Sequence, residues 1–275
     1  MKRFLAVWFY VAIFLLAAFA SGCAQKKVTI EKSAAIAAAE RLEHRASNAY
    51  AKGDAIGAAK DFQTAGQVYE SLAMTDAAAV VQLNLARIDS DEGRTKEALQ
   101  RVESITTLAM QSSVISTSTA LLANGRAAAL YLQQKNNVAA DRVLSNAERL
   151  CASACEASSA LLTLRANWFL AAGDAANAKT KAASGLEQSH NPNDKANALR
   201  SLAEANLVLN QSVQAASEAE QALQIDQTQG NSLRVIADLN LLALIYTKAG
   251  NADKSRNYAE LSKAANLARS QLISK

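Results

Sequence analysis

The sequence is poor in the residues that punctuate a chain. One proline and ten glycines in 275 residues fall below average usage of roughly 5% and 7%. That argues against tight-turned sheets, collagen-like repeats and Pro/Gly-rich disorder. Histidine is scarce: His44 and His190 stand 146 positions apart, which leaves no histidine-based metal centre or catalytic cluster to draw. No charge sign dominates, with 29 Lys+Arg against 25 Asp+Glu and the signs interspersed. The concentrated basic face that nucleic acid requires is therefore not expected. Aromatics number only 14, and six of them lie before residue 20. What the chain has in abundance is alanine, 61 residues, the strongest helix former, supported by Leu, Gln, Lys, Glu and Arg. The expected fold class is all-α.

The N-terminus reads as an export signal. Lys2 and Arg3 precede an apolar run of 17 residues from Phe4 to Ala20, and Ser21, Gly22 and Cys23 lead into a polar stretch. A positive end, an apolar core and small residues before a break make a secretory signal. The run is slightly short of the about 20 residues that span a bilayer. The residues leading into Cys23 resemble the lipobox of bacterial lipoproteins, with Ala20 where that family prefers Leu. The resemblance implies a signal peptide over 1–22, lipidation of Cys23 and a tether over 23–32. Ala24 and Gln25, with no Asp after the cysteine, imply sorting to the outer membrane of an enteric-type envelope, facing the periplasm, with inner-membrane anchoring as the alternative.

Two cysteines remain, Cys151 and Cys155. An even residual pair in an exported chain favours a disulfide, here a local staple at a helix–helix connection, with two unpaired buried thiols as the alternative. A redox pair usually has two intervening residues rather than three, and no further Cys or His stands near enough in sequence to complete a metal site.

The rest of the chain repeats. Apolar-periodic helices are interrupted at Gly53-Asp54, Gly93-Arg94, Lys135-Asn136, Gly173-Asp174, Asn210-Gln211 and Gly250-Asn251, spaced by 40, 42, 38, 37 and 40 residues. Gly or Asn suits the left-handed backbone that ends a helix, and Asp or Asn suits the cap of the next. Seven residues before these breaks stand Ala46, Ala86, Ala128, Ala166, Ala203 and Ala243; five after stand Ala58, Ala98, Ala140, Ala178, Ala215 and Ser255. Small side chains at fixed offsets predict the point of closest approach within an antiparallel helix pair. Large residues nearby, such as Phe62, Val102, Tyr131, Leu144, Phe169 and Tyr246, predict the interdigitating core. The segments Asn48–Asp54 and Ala243–Asn251, with Ala-x-x-Tyr at Ala128/Tyr131 and Ala243/Tyr246, resemble the tetratricopeptide repeat (TPR). The resemblance covers about residues 39–270 and implies a right-handed α-solenoid of about six helix-turn-helix units over 33–275. The chain departs from that pattern in its longer period and in lacking the first-helix Trp.

No phosphate loop, dinucleotide fingerprint or hydrolase motif is present, so neither catalysis nor a cofactor or metal is expected. Asp89, Asp91 and Glu92 read as solvated acids at a helix end, and Glu40, Glu43 and His44 as part of a salt-bridged exposed face. The TPR resemblance implies a protein-binding groove lined by the first helix of each pair. Aligning on the turns places Arg87, Arg126, Asn167, Arg200, Glu204, Asn240 and Lys248 there. The Lys/Asn set by which that family clamps C-terminal carboxylates is not reproduced. The expectation is a lipid-anchored interaction scaffold whose partners are other envelope proteins or peptides. The alternative is a periplasmic small-molecule or glycan-binding lipoprotein.

Overall fold

The computed structural model describes residues 33–151, 155 and 158–273; the expected signal peptide over 1–22, Cys23 and the expected tether lie outside the described residues. Twelve α-helices follow one another, and no strand occurs among the described residues: α1 Ala34–Ala51, α2 Ala55–Ser71, α3 Thr75–Asp91, α4 Thr95–Gln111, α5 Thr117–Gln133, α6 Asn137–Cys151, α7 Ser158–Ala171, α8 Ala175–Glu187, α9 Pro192–Val208, α10 Ser212–Thr228, α11 Ser232–Lys248 and α12 Ala252–Ile273. They form six antiparallel pairs stacked in chain order, an all-α solenoid.

The six anticipated breaks are the six turns inside the pairs. Gly53, Gly93, Lys135, Gly173, Asn210 and Gly250 all have positive φ, between 59° and 92°. Each residue after them bonds back across the turn, as Asp54 N–H does to Ala49 O at 2.9 Å. Between pairs the same conformation recurs at Gly230 and at Ala73, whose φ is 54°. Alanine in this region pays roughly 1–2 kcal/mol for its Cβ. Ala73→Gly is therefore expected to stabilise the fold by about 0.5–1 kcal/mol after the entropy of the glycine is set against it, measured as a rise in urea midpoint at unchanged slope.

The alanines at the two repeating offsets are buried to 0% or 1% exposure in every pair but the last. In that pair Ser255 replaces alanine, and its Oγ donates to the Ala243 carbonyl at 3.0 Å, which places the two offsets against each other. Ala243 and Ser255 are half-buried, since among the described residues no further pair stacks on them. Close approach takes another form at Gly185: a Cβ there would stand 2.9 Å from Thr163 Oγ1 and 3.1 Å from the Ser159 carbonyl. The Ser159 hydroxyl donates to the Gly185 carbonyl at 2.7 Å, tying α7 to α8.

Asn191 caps α9, accepting from Asp194 N–H at 2.9 Å, and Pro192 takes the first helical position, where its fixed φ fits and its missing N–H costs nothing. One local expectation changes. Arg45 pairs with Asp61 of α2, and Glu43 accepts from the Tyr69 hydroxyl at 2.5 Å; these residues tie the first pair together rather than bridging along one helix.

Successive first helices also touch one another, α3 with α5, α5 with α7, α7 with α9 and α9 with α11. They make an inner wall that bends the array around a concavity. Residues of the first two pairs (Tyr50, Phe62, Asn84, Arg87) and of the last two (Asn193, Asn231, Leu233, Arg269) line one small cavity of about 210 Å³. The two ends of the array thus face each other across it.

Candidate functional site

The concavity holds a larger cavity of about 830 Å³, within the roughly 300–1,000 Å³ of clefts that bury a ligand. Its walls come mostly from the first helices. Leu122, Gly125, Arg126 and Ala129 project from α5, Leu164 and Asn167 from α7, Asn197, Arg200 and Glu204 from α9, and Asn231 and Arg234 border it at the start of α11. The spacing is that of one helix face, residues three or four apart. Arg87 of α3 lines both cavities.

Five of the seven groove residues expected from the sequence are thereby brought together: Arg87, Arg126, Asn167, Arg200 and Glu204. Asn240 and Lys248 are exposed but do not line the cavity. Its lining on α11 stops at Arg234, and Asn240 lies six residues further along, about 9 Å of helical rise. Cys155 also lines the cavity and is joined to Cys151 in a disulfide with Cα atoms 5.4 Å apart, at the connection between α6 and α7.

The arginines divide into two kinds. Arg200 is buried and fully engaged: Nη2 donates to Asp226 at 2.5 Å, Nε to Asp238 at 2.6 Å and Nη1 to Asn197 at 3.0 Å. Although it lines the cavity, Arg200 is a framework ion rather than a free donor. Burial raises the Asp226 carboxyl to about 6 against the pull of Arg200, with Asp238 adding to the rise. Glu204 beside this group is also raised, by burial first. Arg87, Arg126 and Arg234 are different, since among the described residues none has a carboxylate within salt-bridge distance. Arg87 lies over the Tyr50 ring, 4.7 Å from its centre. Arg126 Nε is buried with no hydrogen-bond partner. Arg126 is lowered to about 10, by burial first and then by the neighbouring Arg87, against the pull of Asp91. Arg87 and Arg234 keep solvent contact through the cavity, yet the crowding walls lower both, and Arg87 and Arg200 repel Arg234.

With this geometry in view, likeness to known proteins is confined to structure. No family model matches the chain, and no curated protein matches it significantly. Among solved structures, BtubC (BKLC) from P. vanneervenii is similar over 86% of this chain and 92% of its own, at 19% identity and a TM-score of 0.51. The signal transduction ATPase with numerous domains that carries a tetratricopeptide repeat sensor, from Pyrococcus horikoshii, is similar over 85% of this chain at 14% identity and a TM-score of 0.58. This chain spans only 34% of that protein. The fold is TPR-like.

Within the TPR-like array, sequence reasoning missed Arg234 because it stands near the start of α11, away from the offsets that recur around the turns. Its signal was a cation in the first turn of a helix, where the macrodipole favours an anion. The acids before Gly93 also change role. Asp89 is buried and pairs with Arg94 at 2.7 Å and Arg101 at 2.8 Å, because its side of α3 packs on α4. Exposed Asp91 instead feels Arg234, Arg126 and Arg269. Among the described residues no group of His, Cys, Asp and Glu is placed to hold a metal ion.

Proposed function

We propose that this chain is a non-enzymatic scaffold that binds a segment of another protein in its concave cavity, held to the cell envelope by a lipid on Cys23. The cavity carries the reading. It gathers polar donors, Asn167, Asn197 and Asn231 among them, on a wall of leucine and alanine, an arrangement suited to hydrogen-bonding an extended backbone. TPR-like arrays commonly serve as protein-interaction scaffolds, and fold alone does not choose the partner. No aromatic side chain is among the residues lining the cavity, which weighs against a glycan platform.

Gly125 provides a test of the binding site that does not depend on charge. A Cβ there meets only Leu164 Cδ1, at 3.5 Å, so Gly125→Trp fills the cavity without a backbone clash. Affinity purification after in-cell crosslinking in the native host is expected to recover a discrete partner with the native chain and to lose it with Gly125→Trp. A partner retained by that variant would overturn the cavity as the binding site. For the anchor, Cys23→Ala is expected to move the folded protein from the membrane to the soluble fraction. A variant that still sediments with membranes after a salt wash would contradict lipidation.

A further inference from the structure

We propose that Arg87, Arg126 and Arg234 form an anchor for side-chain carboxylates, so that the segment bound in the cavity carries acidic residues where it meets them. This rests on the reading of the cavity as a protein-segment site and names the chemistry of the segment. Three guanidinium groups, from α3, α5 and α11, line the cavity with no salt-bridge partner among the described residues. An unpaired buried donor is costly, more so when charged, and Arg126 Nε is such a donor. Stability alone gives no account of that buried donor with two further unpaired guanidinium groups lining the same cavity; an incoming carboxylate does, because guanidinium and carboxylate match in charge and in forked geometry.

Arg200 lies outside this anchor, because Asp226 and Asp238 already engage its charge. Asp91 acts on Arg126 and Arg234, and Asp226 acts on Arg234 as well, but neither comes within salt-bridge distance of them.

The test is fluorescence anisotropy with the full chain in detergent and a labelled, C-terminally amidated peptide, a run of glutamates followed by glycines and serines. The glutamate peptide is expected to bind and its glutamine counterpart not to. Arg126→Gln and Arg87→Gln should each weaken binding by roughly tenfold or more, while Glu97→Gln, outside the cavity, leaves it unchanged. Should Arg126→Gln lose its helical circular dichroism, Arg87→Gln and Arg234→Gln decide. Equal binding of the glutamine peptide, or affinity unmoved by the arginine variants, overturns the proposal. So does full displacement by inorganic phosphate at low millimolar concentration, which would make the cluster a phosphate site, or equal binding of an unamidated glycine-serine peptide, which would make it a terminal-carboxylate site. If the proposal fails while Gly125→Trp still abolishes partner capture, the cavity remains the binding site and only the acidic character of the segment is lost.

Discussion

Replacing Arg200 by methionine is expected to destabilise the fold by about 3–5 kcal/mol, because removing one partner of a buried ion pair strands the others. Asp238 is fully buried and Asp226 nearly so, and each accepts from this one guanidinium through one oxygen. The three groups come from α9, α10 and α11, so the loss falls on the junction between the last two pairs. Denaturant midpoints of Arg200→Met and of the triple variant Arg200→Met/Asp226→Leu/Asp238→Leu separate the causes. The triple variant should recover much of the loss, since an apolar replacement strands no charge. A single variant as stable as the native chain would mean that the group contributes nothing.

The same group sets a pH dependence. The Asp226 carboxyl is raised to about 6 in the fold, above the roughly 3.9 of an unfolded aspartate. The folded chain therefore holds this proton more tightly than the unfolded chain. The resulting stability is fully present below about pH 4 and is lost as pH rises through about 6. The stability difference between the native chain and Asp226→Asn should therefore shrink or reverse between pH 4 and 6.5, while carboxylates common to both cancel. A difference that grows over that range would contradict the assignment.

The second large effect concerns the alanines where helices meet. Ala128→Leu is expected to cost about 3 kcal/mol or more, by overpacking a position with no free volume. Ala128 is wholly buried in one core cluster with Ala98, Ala140 and Leu144. The neighbouring Ala129 faces the cavity and is exposed; Ala129→Leu should stay within about 0.5 kcal/mol of the native chain. The comparison isolates packing from helix propensity, since the exchange is the same at adjacent positions. Equal effects at the two sites would remove the close-approach account of the repeat.

Much of this architecture was legible beforehand because it is local. A left-handed turn needs Gly or Asn at one position, and a close helix crossing needs Ala at another, so both recur with the period and can be read along the chain. Lys135 shows that the period carries information beyond residue type, since it takes the same conformation as the glycines. The groove was half legible for the same reason: Arg126 and Asn167 follow the register of their helices. Partnership was not legible. Arg200 meets Asp226 and Asp238 across 26 and 38 residues, and no spacing rule announces that. Nor does periodicity show that the array bends until Tyr50 and Arg269 border one cavity, because curvature accumulates from small rotations between pairs.

The central claim is that the concave cavity is where this chain meets its partner, and position-resolved photo-crosslinking in the native host tests it most directly. A benzophenone side chain is placed at Ala129 in the cavity and, in a second strain, at Ile56, which is 75% exposed and outside it. A discrete adduct formed from Ala129 and absent from Ile56 is the predicted result. An adduct that forms from Ile56 and not from Ala129 would contradict the account and move the binding surface to the outside of the array.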